Sequence, residues 1–364
     1  VNALLKEAVE LKGWEEKLPL YQYWFEKVER LNPNGGTKVS AIIISNKYKE
    51  KSAENLRRLS KQLKGIGEII FVNNGIDDSE FSSLFPYVHT YVKANGNAGA
   101  YLARNLGALF AQGEYVLFVD DDGIPQANFV QAHLKEHAER DIVVSRGMYY
   151  SSNVINDPWH YNIGNQVKPA YTILEGNAMY NSSAFYKTGG WGDYILFGHG
   201  GKDLSFRLLE HYPNREQQIY VPGSRLHHEY LRGAAHQKEK KKKQEISLRL
   251  LEAMHPGLKA CIDSWPSHFS QNSDVKVGET KSLLPKAEGK KTKFFHFCRN
   301  HVYAQALSDM IEEMNAMSDQ QHWLLVEKTP WNVAGGYSIK EGKNASTLFF
   351  DCSSQSDING IVND

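Results

Sequence analysis

Glu114-Tyr-Val-Leu-Phe-Val-Asp-Asp-Asp-Gly123 is the stretch that decides how this chain is read. The apolar run from Tyr115 to Val119 predicts a strand buried on both faces, because a strand with one wet face would alternate. The strand then delivers Asp120, Asp121 and Asp122 at its C-terminal end. In open α/β sheets ligands bind outside that edge. Adjacent carboxylates repel one another, and a divalent cation bridging them to a diphosphate relieves the repulsion, since hard cations take carboxylate and phosphate oxygens. The plainer alternative is an acidic turn after a strand, as turns favour Asp and Gly.

Toward the N-terminus the pattern supports a parallel sheet. Val39-Ser-Ala-Ile-Ile-Ile-Ser45 is a β-rich run, followed by an amphipathic helix through Leu63 and a second strand, Glu68-Ile-Ile-Phe-Val72. Strand, helix and strand at this spacing make a βαβ unit with a right-handed crossover. Tyr87 to Val92 is a candidate third strand, and Asn95 to Gly113 a glycine-interrupted helix leading into the acidic strand. Before all this, Leu4, Leu5, Val9 and Leu11, then Tyr21, Trp24, Phe25, Val28 and Leu31, recur at helical spacing and predict two helices broken near Pro19. Asn32-Pro-Asn-Gly-Gly36 reads as a linker.

Toward the C-terminus, Asn128 to Glu139 predicts a helix and Asp141-Ile-Val-Val-Ser145 a strand, ahead of an aromatic-rich region. Glu175-Gly-Asn-Ala178, Gly189-Gly-Trp-Gly-Asp193 and Phe197-Gly-His-Gly-Gly-Lys-Asp203 follow. Residues 231 to 254 predict a charged helix carrying the run Lys238-Glu-Lys-Lys-Lys-Lys243. Pro266 to Lys291 is polar and without periodicity. The pattern then restarts with strands at 293–298, 322–327 and 347–351 and a helix from Val302 to Met317.

Composition bounds the class. Lys plus Arg equals Asp plus Glu at 42 each, so no global attraction to nucleic acid is implied. A hydrophobic fraction of 41% supports a real core in a chain of 364 residues. Cys261, Cys298 and Cys352 are few and far apart, which favours a reduced, cytoplasmic setting over a disulfide framework. The apolar stretches are strand-sized, so neither a transmembrane helix nor a signal peptide is expected. Val at position 1 suggests a processed or excised fragment. Asn344-Ala-Ser and Asn181-Ser-Ser match a glycosylation pattern short enough to arise by chance.

Taken in order, the motifs over Val39 to Leu251 resemble those of family 2 glycosyltransferases of the GT-A fold. Val39 to Asn46 is similar to the family's first strand, whose end, here Ser45 and Asn46, touches the nucleotide. Phe71-Val-Asn-Asn-Gly75 resembles the second strand end, giving Asn73 the contact with the base where Asp is commoner. Asn97-Ala-Gly-Ala-Tyr-Leu-Ala-Arg-Asn105 resembles the helix start near the uridine, with Asn97 and Arg104 as nucleotide contacts. Asp120-Asp-Asp122 matches the metal-binding Asp-x-Asp, Asp122 as direct ligand and Asp120 as ribose or metal contact. Gly200-Gly-Lys-Asp203 resembles the Gly-Gly-Glu-Asp element that ends in the catalytic base.

The resemblance implies an α/β, Rossmann-like mixed sheet, mostly parallel and flanked by helices, over residues 37–264. Its nucleotide-binding half would be 37–125, its acceptor half with C-terminal helices 126–264. A helical extension (1–36), a linker (265–291) and a partial Rossmann-like βαβ module (292–364), either a docking module or a truncated second domain, complete the expected layout.

Glycosyl transfer makes three demands. Charge building on the leaving diphosphate calls for Mn²⁺ or Mg²⁺ at Asp122, with His227 or His228 closing the site. Adjacent strand residues face opposite ways, so which histidine turns inward is open. The acceptor needs a proton acceptor, and Asp203 is the candidate, an ordinary N-cap being the alternative. A base there, opposite the leaving group, makes displacement direct and inverting. Lys202 stands where the motif has Glu, and an ammonium beside Asp203 favours its ionised form. The sugar must be held, and Asp121, Gly176, Asn177, Trp191 and Lys202 are the candidates, Trp191 being equally well a core residue. The lysine run is either a solvated helix face or a contact for an anionic acceptor or the membrane surface.

A pyrophosphorylase or a dehydrogenase would need a glycine-rich phosphate loop after the first strand, and Ser45-Asn-Lys-Tyr-Lys49 lacks one. The expectation is a cytoplasmic, metal-dependent, inverting hexosyl- or N-acetylhexosaminyl-transferase in bacterial surface-polysaccharide synthesis. It would use a UDP-sugar donor and a glycan or phosphate-containing acceptor, with no nucleic-acid partner. Peripheral membrane association and oligomer formation stay open. The alternative is a non-catalytic carbohydrate- or nucleotide-binding scaffold of the same fold.

Overall fold

The computed structural model describes residues 2–152, 158, 160–195, 197–229, 234–255, 257–263 and 265, with strands at 293–298, 321–328, 338–341 and 346–351. In chain order the elements are α1 (Ala3–Leu11), α2 (Leu18–Trp24), β1 (Phe25–Arg30), β2 (Val39–Ser45), α3 (Glu50–Leu63), β3 (Gly67–Asn73), β4 (Thr90–Ala94), α4 (Ala100–Leu109), β5 (Tyr115–Asp120) and β6 (Ile124–Pro125). They continue with α5 (Phe129–Glu139), β7 (Val144–Tyr150), β8 (Lys168–Pro169), β9 (Asn177–Asn181), α6 (Ser182–Lys187), α7 (Gly200–His211), β10 (Gln218–His227), α8 (Ala234–Met254) and α9 (Leu258–Asp263). The last strands are β11 (Lys293–Cys298), β12 (Gln321–Lys328), β13 (Ser338–Glu341) and β14 (Ser346–Asp351). The described residues fall into two units, one within Val1–Asp193, Gly200–Gly233 and Cys261–Val277, the other within Tyr194–His199, Ala234–Ala260 and Gly278–Asp364.

The first unit is built on a mixed sheet ordered β1-β4-β3-β2-β5-β9-β7-β10-β6, with β8 paired to β10. Strands β2, β3, β4 and β5 are parallel, as the apolar runs predicted. Register pairs Ile44 with Asp120 and Ser45 with Asn73, so the polar ends of β2, β3 and β5 emerge together at one edge. Helix α3 turns Leu56, Leu59 and Leu63 inward at helical spacing and carries Ser52 and Asn55 on the same buried face. Those two polar residues cap the tip of β5: Ser52 donates to the Asp121 carbonyl (3.0 Å) and Asn55 to that of Asp120 (2.7 Å). Helix α4 lies close on β2 and β3 at Gly107, where a Cβ would meet Ile42 and Val72 at 2.8 Å.

The structure corrects three expectations. Residues 25–30, read as helix and as part of an extension ending at 36, form β1 in the main sheet, Val28 opposite Val92. Pairing along the open edge of β4 outweighs the helical spacing. The strand placed at 141–145 runs instead from Val144 to Tyr150, which brings Tyr149 to the sheet's edge. Asn177, expected to hold the sugar, begins β9, antiparallel between β5 and β7. Two helices are present, but the break between them precedes Pro19, which sits in the first turn of α2, where its missing N–H costs nothing.

The second unit contains α8, with the lysine run, and a sheet ordered β11-β12-β14-β13, parallel except for β13. Buried Ser247 of α8 donates to the Phe197 carbonyl at 2.8 Å. The helix expected at 302–317 and the linker at 265–291, Trp265 apart, lie outside the described residues. Among the described residues no helix is long and apolar enough to cross a membrane.

Under β7 and β9 the interior holds a polar knot. His133 meets Ser145 Oγ (2.7 Å) and Asn177 Oδ1 (3.0 Å), while His137 reaches the same Ser145 (3.1 Å). Burial lowers the pKa of His133 to about 3 and that of His137 to about 4. Both folded values lie below the free value, so the unfolded chain takes up protons first and stability falls as pH drops below about 6.5. Denaturant unfolding at pH 6.5 and pH 5 is expected to differ by about 3 kcal/mol, and His137→Phe should shrink that difference.

Candidate functional site

The three carboxylates at the tip of β5 take three different environments. Asp120 continues the strand, its Oδ1 bound by Arg104 at 3.2 Å and its Oδ2 by the Tyr149 hydroxyl at 2.5 Å. Its carboxyl lies against Gly176 so closely that a Cβ there would fall 1.9 Å from Cγ. Gly176 thus admits the Asp120 carboxylate, and its carbonyl accepts the Asp120 N–H at 3.1 Å. Asp121 turns inward, receiving Ser45 Oγ on one oxygen and Lys49 Nζ on the other at 2.6 Å. Burial raises its pKa against the pull of Lys49. Asp122 turns outward, between Lys49 Nζ at 3.1 Å and His228 Nε2 at 3.4 Å. Burial would raise its pKa too, but the hydrogen bonds and charges of His228 and Lys49 prevail and hold it well below the carboxylate range.

The open question of the two histidines has a geometric answer. His228 faces Asp122, stacked on Tyr149 (5.0 Å between centroids, 20° between planes) with Nδ1 3.0 Å from the Tyr161 hydroxyl. His227 points the other way, to Ser152 and to Glu229 at 3.0 Å. Behind the tip, buried Arg104 forks between Asp120 and Glu175, each at 3.2 Å. Glu175 also accepts from the Tyr101 hydroxyl and from the Gly201 N–H, both at 2.8 Å, while the Gly200 N–H donates to Tyr101 at 2.9 Å. A carboxylate therefore closes the positive end of α7 and ties it to the strand tip. Among the described residues no group of three His, Cys, Asp or Glu gathers for a metal; at the tip Asp122 and His228 face each other at 3.4 Å.

Residues 40–199 match the family model for glycosyl transferase family 2. This segment belongs to that family. The glycosyltransferase segment aligns with Glycosyltransferase GlyG of Streptococcus pneumoniae serotype 4, 27% identical over 145 residues, or 36% of this chain and 48% of that protein. It aligns also with Glycosyltransferase GlyA of the same organism, 32% identical over 151 residues, or 39% of this chain and 21% of that protein. The chain spans about half or less of the length of these curated relatives. Solved structures it resembles include S. aureus TarS in complex with UDP-GlcNAc (TM-score 0.47, 17% identity, 60% of this chain and 66% of that one). Another is mannosyltransferase PcManGT from Pyrobaculum calidifontis in complex with GDP-Man and Mn²⁺ (TM-score 0.49, 16% identity, 72% and 78%). The mostly parallel mixed sheet flanked by helices is the architecture that the resemblance implied.

Other residues expected at the glycosyltransferase site serve the scaffold. Asn73 is fully buried, its amide donating to Ile76 O and Tyr91 and its oxygen accepting from the Gly75 and Ile76 N–H groups, so it shapes the turn after β3. Asn97 accepts from Asn74 and the Gly99 N–H and sets the entry to α4. Asn177 bridges Met148 O, Ser224 and His133 in the interior. Trp191 is a core plate, stacked on Tyr101 at 5.7 Å with the Arg104 guanidinium 5.2 Å from its ring. Asn46 stands exposed on the loop after β2, and Lys202 is half-buried in the first turn of α7.

Asp203 is the largest departure. It is neither the N-cap of α7, which starts at Gly200, nor open to solvent. Its Oδ2 takes Arg207 Nε (3.0 Å) and Nη2 (2.6 Å), and Arg207 goes on to the carbonyls of Thr188 and Gly190. The spacing from Asp203 to Arg207 is one helical turn, a signal in the sequence that favours an internal ion pair over a base. Missed altogether were Lys49, Ser52 and Asn55, whose mark is a cation and two polar residues placed where α3 meets the acids. Asp203→Asn is expected to lower stability by about 3 kcal/mol, because one partner of a buried pair is left charged. A variant as stable as wild type that loses turnover alone would return Asp203 to the chemistry.

Proposed function

We propose that the chain transfers a hexosyl or N-acetylhexosaminyl group, in the cytoplasm, from a nucleotide-sugar to a glycan of a bacterial surface polysaccharide. A UDP-sugar is the first donor to test and Mn²⁺ or Mg²⁺ the working cation. The observation that carries the reading is Asp122 and His228 facing each other 3.4 Å apart at the C-terminal edge of the sheet, within a chain whose residues 40–199 are of glycosyl transferase family 2. An acceptor bearing phosphate would suit the lysine run of α8.

The donor set fits such a cation. A carboxylate oxygen and an imidazole nitrogen converge, leaving positions for diphosphate oxygens and water, the way Mg²⁺ is commonly held with substrate phosphates. Charge points the same way. Counted as ionised, Asp120, Asp121, Asp122 and Glu175 face two cations, Arg104 and Lys49, and the surplus negative charge would repel a bare diphosphate. Bound here, a divalent cation supplies charge neutralisation for the leaving diphosphate.

The chain's own groups do the rest. Arg104 and Tyr149 fix Asp120, burial keeps the Tyr149 hydroxyl protonated as a donor by raising its pKa, and Gly176 leaves room for that carboxylate. His228 is oriented by Tyr161 and by stacking on Tyr149. The expected inverting course was tied to a base at Asp203, and with Asp203 committed to Arg207 the proposal assigns no base and rests on leaving-group stabilisation.

A panel of nucleotide-sugars with Mn²⁺ is expected to raise the melting temperature for the true donor, by mass action. Release of nucleoside diphosphate should need Mn²⁺, stop with EDTA, and fall about a hundredfold or more in Asp122→Ala. Donor binding with no release under any condition would leave the non-catalytic scaffold.

A further inference from the structure

We infer that Lys49 is a tethered counter-cation: it neutralises Asp121 and Asp122 while no metal is bound, and gives up Asp122 when the cation and diphosphate enter. The inference deepens the reading above and rests on it for the identity of the site.

The placement of Lys49 is hard to explain by local structure. It occupies the N-cap of α3, with extended backbone (φ −134, ψ 137) and no side-chain cap bond. That position prefers Ser, Thr, Asp or Asn, and a cation there faces the positive end of the helix. A residue that breaks a local rule is expected to answer to something else, and the answer on the page is the acidic tip. Its ammonium lies 2.6 Å from Asp121 Oδ1 and 3.1 Å from Asp122 Oδ2.

Both oxygens of Asp122 are thereby engaged, Oδ2 by Lys49 and Oδ1 by His228. A divalent cation binding Asp122 displaces part of this arrangement. Neutral imidazole can join the cation as a ligand, whereas an ammonium at 3.1 Å from the same carboxylate repels it, so Lys49 is the member that leaves. It has somewhere to pivot. The Lys49 carbonyl is fixed by the Ser52 N–H at 2.9 Å, while its side chain keeps a second, more buried partner in Asp121, itself held by Ser45. Swung off Asp122 about Asp121, the ammonium stays at the rim, where diphosphate charge would arrive. Metal and nucleotide would then bind with positive coupling, each making the displacement of Lys49 easier for the other.

Direct Mn²⁺ binding tests this, by electron paramagnetic resonance of free Mn²⁺ on wild type, Lys49→Met and Lys49→Arg, with and without UDP. Without UDP, Lys49→Met should bind Mn²⁺ about tenfold more tightly than wild type, and Lys49→Arg should match wild type. With UDP, wild type should gain Mn²⁺ affinity while Lys49→Met gains little. Melting temperature read alongside confirms folding, and Mn²⁺ should raise it more for Lys49→Met than for wild type. Equal or weaker Mn²⁺ binding by folded Lys49→Met overturns the inference, and leaves the proposed function standing if the donor still binds. Absence of Mn²⁺ binding in every protein, with and without UDP, overturns both.

Discussion

Like charge packed at the end of a buried strand has to be balanced residue by residue, and the site follows from how β5 achieves this. Asp120 ends the strand and Asp121 and Asp122 form the turn after it, each with its own surroundings, so no single cation serves all three. Asp120 receives Arg104 from α4 and Tyr149 from β7, Asp121 receives Ser45 and Lys49 from the end of β2 and the start of α3, and Asp122 shares Lys49 with Asp121 and meets His228 after β10. Each partner comes from a different element. The elements around the tip are thus positioned by one electrostatic requirement, and any ligand of the site meets a field already shaped by it.

The balance extends away from the tip through Glu175. Arg104 is shared between Asp120 and Glu175, and Glu175 in turn accepts the first N–H groups of α7 directly and through Tyr101. Burial raises the pKa of Glu175 against the charge of Arg104, which marks it as a costly group to keep in place. One turn further along α7, Asp203 and Arg207 hold the Thr188–Gly190 turn. Helix α7 is therefore pinned at two successive points, and its start is rigidly related to the acids of β5.

Much of this was legible in the sequence. The apolar runs of β2, β3 and β5 and the ordered polar ends gave the parallel half of the sheet and the family, because those signals are local and strong. Asp120, Asp122 and Arg104 could be found from motif and strand position. What could not be found depended on partners distant in sequence. Phe25 to Arg30 reads as helix until β4 offers it an edge, and His227 and His228 are equivalent until register with β7 chooses between them. Polar residues of motif type, Asn73, Asn97, Asn177 and Asp203, look functional because Asn and Asp also build turns and buried bridges. Trp191 was open between plate and core, and its stacking on Tyr101 places it in the core.

Burial divides the site into fixed and adjustable parts. Arg104, Asp121 and Glu175 are held by several bonds each, so they keep their places without reorganising. The side chains of Lys49 and Asp122 are 26% and 39% exposed, and Asp122 is the carboxylate of the tip with most access to water. On the proposed reading a diphosphate arriving from solvent meets Asp122 first. The parts that yield to a ligand are, on that reading, Lys49 and Asp122, joined to each other by one ion pair, while Arg104, Asp121 and Glu175 hold their places. A half-buried pair is easier to break than a fully buried one, so on the proposed reading the tip opens between Lys49 and Asp122, where a cation and a diphosphate would enter.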